Sequence, residues 1–392
     1  MTYPAPALSA SLGAACLFAV LPAFAAAPAP AEQTVSMENT AKSAAADYWT
    51  AERFKAAKPL PLPAARPDAL RDEAPRAAPP GKADSGEAQP PSLQPRIAPE
   101  RLFDATPSAP RQGDLSESAA PGETTPQDSG SFGTPFTSTR VFPLYSGSSA
   151  GFSADRAYPY ITVGKLFFTI GGSPFVCSAS VINRRVVVTA GHCVHSGTAA
   201  GFHSNWVFVP ALRDGVAPLK QWSWRYVIVT GTWASGGGTV PNAADYAMIE
   251  FGDQPLTTGG PLVKLGNLTG WLGWQTLSLN GNHTSKLGYP CNLDNCQKMQ
   301  NVTSTSFRTT APNNVEYGSD ARGGSSGGPW VQNFAVLSVG GGTGTNAGQN
   351  RVVGVTSYGY NSVDPKVQGA SIPDSRWVQL WNTICARAGN CN

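Results

Sequence analysis

From residue 161 onward, short apolar and β-branched runs alternate with polar, Gly-rich turns. Runs at 161–170, 175–182, 185–189, 206–209, 225–230 and 246–251 have strand length and strand composition. A second set follows at 275–279, 302–308, 329–339 and 351–358, with Asn280-Gly281 as a hairpin signal. Two groups of short strands predict an all-β domain of two barrels. The chain then changes period. Trp377, Leu380, Trp381 and Ile384 recur at helical spacing, with Asp374 or Ser375 as N-cap, so a C-terminal helix is expected over about 374–387.

The first 140 residues lack this pattern. Residues 8–24 are apolar and end in Ala25-Ala26-Ala27, as in a secretory signal over 1–27, although no Lys or Arg precedes the run. Pro22 interrupts it, and its shortness argues against stable membrane insertion. Residues 28–140 are rich in Ala, Pro and charge, as in Pro59-Leu60-Pro61-Leu62-Pro63 and Arg76-Ala77-Ala78-Pro79-Pro80. Such a stretch buries too little apolar surface to offset its ordering entropy, so a largely disordered propeptide, linker or stalk is expected. One amphipathic helix is expected within 44–54, around Tyr48 and Trp49. Nine of the ten Trp lie after residue 140. Residues 141–392 carry sixteen basic and ten acidic residues, against twelve and fifteen in 28–140. The opposite signs allow the upstream segment to lie on the domain. The basic excess forms no patch interleaved with aromatics, so no nucleic-acid partner is expected.

Gly324-Ser325-Ser326-Gly327-Gly328-Pro329 is the stretch with the most chemical content. A Ser between glycines can stand on a tight turn, with backbone N–H groups close to a bound carbonyl oxygen. The same composition occurs in linkers, so a base and an acid are needed. Val186-Val187-Val188-Thr189-Ala190-Gly191-His192-Cys193 places an imidazole just past a rigid strand; a structural loop His is the alternative. His195, His203 and His283 sit among polar or turn residues and are expected to be solvated. Asp245 opens the apolar run Tyr246-Ala247-Met248-Ile249, where a buried carboxylate can hold a His in one tautomer; an Asp ending a turn is the alternative. Asp214 and Asp253 lie in turn-like stretches and are weaker candidates.

His192 in Thr-Ala-Gly-His-Cys, Asp245 in Asp-Tyr-Ala-Met-Ile and Ser326 in Gly-Ser-Ser-Gly-Gly-Pro occur in the order that resembles the chymotrypsin-like serine endopeptidases, most closely their V8-like branch. The resemblance covers about residues 141–392. It implies two antiparallel Greek-key β-barrels, over about 155–255 and 256–370, with the active site between them. It implies His192, Asp245 and Ser326 as the triad, and the N–H groups of Gly324 and Ser326 as the oxyanion hole. Ser357-Tyr358-Gly359 matches the segment that aligns an extended substrate. Asp320, six residues before Ser326, stands where trypsin-like members bind Lys or Arg, and it implies a weak preference for those residues at P1. A solvated loop Asp is the alternative. Thr356 stands where glutamyl-specific members carry His, which removes the usual support for Glu specificity. Ser325 stands where pancreatic zymogens carry an Asp, so their activating ion pair cannot form.

Seven Cys are present, and Cys16 leaves with the signal. Six remain, an even number that suits an exported chain. Local spacing suggests Cys291–Cys296 and Cys385–Cys391, and the remainder, Cys177–Cys193, resembles the family's disulfide beside the catalytic His. The Cys lack a metal-binding pattern, and no cofactor or metal is expected. Arg140-Val141 resembles a processing site, and cleavage there leaves 252 residues. The combined expectation is a secreted or periplasmic monomeric serine endopeptidase, acting on peptides and carrying its own propeptide. A broad or Glu-specific protease, or a protease-like binding or adhesion protein, is the alternative.

Overall fold

The computed structural model describes Met1 and residues 33–41, 45–65, 83–105, 135–141, 154–335, 348–360 and 366–392. The expected signal, the 76–80 stretch and the end of the 329–339 run lie outside them.

The first sheet has the strand order Trp222–Thr230, Ala247–Phe251, Val186–Thr189, Ser173–Val181, Val163–Ile170, Ser204–Pro210. Ser204–Pro210 pairs back onto Trp222–Thr230, so these six antiparallel strands close on themselves. Closure through Trp222 and Ser223 encloses the core and explains the near-continuous apolar runs, while residues 226–230 keep an open edge. Val186, Val187 and Val188 are fully buried because their strand has a neighbour on each side. The second sheet runs Val367–Ser371, Asn314–Gly318, Gln300–Thr310, His283–Gly288, Pro329–Gln332, Arg351–Val355. An antiparallel bridge between Tyr358 and Gly369 joins its ends. Leu279, Val315, Tyr317, Trp330, Val353 and Ala370 fill this barrel.

The helix Ser375–Cys385 buries Trp377, Leu380 and Ile384. Its N-cap is Asp374, whose carboxylate accepts from Arg376 N at 2.9 Å. Tyr246, the residue after Asp245, packs on Trp377 with ring centroids 5.3 Å apart and donates its hydroxyl to Asp374 at 3.1 Å. The helix therefore fixes the start of the strand that carries the candidate acid.

The stretch 28–140 builds no barrel of its own where it is described. It attaches to the two that exist. Thr34–Glu38 adds antiparallel to Trp222–Thr230, and Phe136–Arg140 adds to Gln300–Thr310. Lys58–Pro59 lies parallel to Ser173–Val181. Two short helices, Ala45–Tyr48 and Ala51–Ala56, replace the single helix expected there. The break falls at Thr50, whose hydroxyl caps the second helix. Trp49 and Phe54 are buried and stack at 5.1 Å, with Phe54 against Phe167 at 4.8 Å. Where the segment is described, its buried aromatics belong to the core of the first barrel, and composition alone cannot register a core borrowed from another part of the chain. No helix among the described residues is long and apolar enough to cross a membrane.

Candidate active site

His192 follows the strand Val186–Thr189 in a single 3-10 turn, Gly191–Cys193. The disulfide Cys177–Cys193, with Cα atoms 6.4 Å apart, ties this turn to Ser173–Val181. Trp206 Nε1 donates to the Cys193 carbonyl at 3.1 Å, and His203 Nε2 donates to the His192 carbonyl at 3.1 Å. The loop is thus held by covalent and hydrogen bonds on both sides of the imidazole. Cys291–Cys296 and Cys385–Cys391 also form.

Asp245 is fully buried. One carboxylate oxygen accepts from the His192 backbone N–H at 2.9 Å. The other accepts from His192 Nδ1 at 2.8 Å and from Ser357 Oγ at 2.5 Å. A carboxylate on Nδ1 keeps the proton there and leaves Nε2 with its lone pair. Asp214 and Asp253 are engaged elsewhere, with Lys298 at 2.7 Å and with Arg185 at 2.6 Å.

Gly324 has φ +92°, and a Cβ there would lie 2.6 Å from the Tyr289 carbonyl. Gly327 has φ +75°, and a Cβ would lie 2.0 Å from Thr189 Oγ1. Only glycine meets both demands, so the Ser326 turn can press against the end of the His-bearing strand. Ser178 completes the junction. It is fully buried, its N–H donates to the Ser326 carbonyl at 2.7 Å, and its hydroxyl donates to the Gly324 carbonyl at 2.8 Å. Sequence reasoning missed Ser178; the signal was a polar residue in an apolar strand directly after Cys177.

Ser325 Oγ donates to the Arg322 carbonyl at 2.6 Å and accepts from Gln368 Nε2 at 2.9 Å. Ser326 Oγ and His192 Nε2 are both buried and have no hydrogen-bond partner among the described residues. An unpaired buried polar atom costs about 1–3 kcal/mol. They are two of seventeen such side-chain atoms among the described residues, so being unpaired does not by itself single them out; it does show that Ser326 Oγ and His192 Nε2 do not bond each other here.

The matched substrate-aligning segment has a mixed outcome. The Tyr358 side chain is fully buried and donates to Glu316 at 3.0 Å, and Thr356 Oγ1 accepts from Trp330 Nε1 at 2.8 Å. The Ser357 hydroxyl serves Asp245. Only the backbone of Gly359 is turned to a peptide: its N–H donates to the Pro63 carbonyl at 3.1 Å, and its carbonyl accepts from Ala65 N at 3.0 Å. Gly324 N–H donates to the Leu60 carbonyl at 3.3 Å. Asp320 has one buried carboxylate oxygen without a partner. It is electrostatically coupled to buried Lys286, which donates to the Gly318 carbonyl at 2.6 Å and to Ser304; burial holds the Lys286 ammonium well below its usual pKa. Arg140 is ion-paired to Asp294, and Val141 N–H donates to the Met299 carbonyl at 2.9 Å, so the Arg140–Val141 bond lies at the end of a paired strand.

Two histidines depart from expectation. His283 is exposed, but His195 and His203 are buried. His203 stacks on Phe168 at 5.4 Å, and burial lowers its pKa from 6.5 to about 4. The unfolded chain therefore takes up this proton first as pH falls. The stabilisation held by neutral His203 is complete above about pH 6.5 and is lost as pH falls to about 4. The expected loss is about 3 kcal/mol, read from urea midpoints at several pH values. His203→Gln, which keeps a donor for the His192 carbonyl, is expected to flatten that slope.

Among the described residues Cys177, His192 and Cys193 form the one metal-like cluster, but both sulfurs are consumed by the disulfide, so they offer no thiolate to a metal.

Fold and site together resemble the V8-like branch of the chymotrypsin-like serine endopeptidases. The chain is 27% identical over 206 residues to the glutamyl endopeptidase of Bacillus licheniformis, covering 52% of this chain and 58% of that protein. It is 24% identical over 223 residues to the extracellular metalloprotease of Bacillus subtilis, covering 54% and 65%. The chain thus spans less than two thirds of either relative. The protease Anisep of Arthrobacter nicotinovorans is 28% identical, with a TM-score of 0.48, over 58% of this chain and 96% of that one. No protein-family model matches the chain.

Proposed function

We propose that the chain is a secreted serine endopeptidase. The observation that carries this is the buried Asp245–His192 pair together with the glycine turn of Ser326 packed on the end of the His-bearing strand, where a Cβ on Gly327 would lie 2.0 Å from Thr189 Oγ1; the Ser326 Oγ–His192 Nε2 hydrogen bond itself is not formed in this structure. In this reading Ser326 Oγ attacks a peptide carbonyl while His192 Nε2 takes its proton. The carbonyl oxygen becomes an oxyanion on the N–H groups of Gly324 and Ser326. His192 returns the proton to the leaving amine, and water then releases the acyl group by the reverse sequence. Asp245 holds the imidazole and stabilises its cation. Loss of one oxyanion donor in such sites costs about 10²–10³ in kcat.

Asp320, with a carboxylate oxygen unpaired, supports a weak preference for Arg or Lys at P1. A second reading, Glu at P1, is favoured by the name of the Bacillus licheniformis relative. A peptide library varied at P1 decides between them. Cleavage after Arg and Lys is expected, with none in Ser326→Ala; cleavage after Glu alone removes the assigned role of Asp320. Cleavage after Arg140 would also require Phe136–Arg140 to peel from its neighbour, so processing is expected to be slow while that ladder is intact.

A further inference from the structure

We propose that residues 58–65 are a built-in ligand of the substrate groove, an extended proline-rich strap that keeps Ser326 from other peptides. The proposal rests on the protease reading above. Leu60 N–H donates to the carbonyl of Val176, the residue before Cys177 of the disulfide to Cys193, at 3.0 Å. The Leu60 carbonyl accepts the Gly324 N–H, the assigned oxyanion donor. Pro63 and Ala65 then take both backbone groups of Gly359, the assigned aligning residue. Ala65 is buried against Tyr358, Tyr360 and Val367. Leu62 covers Gly359 so closely that a Cβ there would lie 2.7 Å from Leu62 Cδ2. One segment thus satisfies both the oxyanion donor and the aligning strand.

Its sequence suits that task. Prolines at 59, 61 and 63 stiffen the chain in an extended form, so little entropy is lost on docking. They lack N–H groups, and the N–H groups the groove uses come from Leu60 and Ala65. Directly upstream, Trp49 and Phe54 anchor the strap in the first barrel, which makes docking intramolecular. The carbonyl at the oxyanion donor belongs to the Leu60–Pro61 bond. Cutting it would join Ser326 Oγ to the Leu60 carbonyl carbon, break the bond to Pro61 N, and pass the serine proton through His192 to that nitrogen. Pro61 N is tertiary, and its ring carbons crowd the proton's path; Ala64 also bridges Gly359 in parallel and lies on the leaving-group side of Leu60, opposite to a substrate whose acyl side aligns there, so the strap is held and not cut.

The test uses the full chain, confirmed intact by mass, and a fluorophosphonate that labels the nucleophile. Its variants are Leu60→Asp with Leu62→Asp, and a Gly/Ser replacement of residues 60–64. Labelling at Ser326 is expected to be about tenfold faster or more in both variants, and a synthetic peptide of residues 57–66 at about millimolar concentration is expected to slow it again. Equal labelling of Ser326 in wild type and variants overturns the strap and leaves the protease reading intact. No labelling of Ser326 in any chain overturns the catalytic reading, and the strap with it.

Discussion

Ser326→Ala is expected to lower peptide-bond hydrolysis by about 10⁶-fold in kcat and to leave the fold intact. The two halves of this expectation have separate causes. Ser326 Oγ accepts and donates no hydrogen bond among the described residues, so its removal breaks none and relieves an unsatisfied buried hydroxyl. The turn itself is held by backbone groups, by Ser178 and by the two glycines, all of which survive the substitution. Thermal unfolding is therefore expected at or above the wild-type temperature, while hydrolysis falls to what the oxyanion donors alone provide. Ser325→Ala is the contrasting control. Its hydroxyl bonds the Arg322 carbonyl and Gln368, so its loss is expected to cost about 1 kcal/mol of stability and little of the chemistry. If Ser325→Ala removed activity and Ser326→Ala did not, the nucleophile would be misassigned.

Glu316→Ala is expected to cost about 3–5 kcal/mol of stability. Glu316 is fully buried. It accepts from Arg308 Nε at 2.7 Å, from the Tyr358 hydroxyl at 3.0 Å, and from Tyr360. Truncation leaves the largely buried Arg308 guanidinium without its counter-charge and two buried phenols without an acceptor. A fall in the urea midpoint at unchanged slope measures the loss. Replacing both partners, Arg308→Met with Glu316→Leu, is expected to recover most of it, because no charge is then left alone. Tyr358 and Tyr360 flank Gly359, so a rise in KM larger than the fall in kcat is also expected for Glu316→Ala. A loss below about 1 kcal/mol would show that this network does not hold the groove wall.

The polar centre of the site was only half legible in the sequence. His192, Asp245 and Ser326 each stand next to a local signature: a strand end, the start of an apolar run and a glycine turn. Ser178 and His203 have no such signature, because their roles depend on partners far along the chain. Ser178 bonds residues about 150 positions away. His203 looked solvated among polar neighbours, yet Phe168 and the His192 loop enclose it. Burial is a property of the packed molecule and cannot be counted from neighbours in the chain.

The upstream segment gives the sharper contrast. Its composition predicts that it does not fold on its own, because too little apolar surface stands against the entropy of ordering it. Alternating apolar runs likewise determined an all-β domain, helical spacing determined the last helix, and motif order determined which three residues to bring together. Only the tertiary structure decided that strands of the segment complete the edges of existing sheets, and that Pro59-Leu60-Pro61-Leu62-Pro63 lies across Gly324 and Gly359. A strand edge or a groove offers backbone hydrogen bonds to any chain that reaches it. Which chain reaches it depends on where the folded molecule holds its ends.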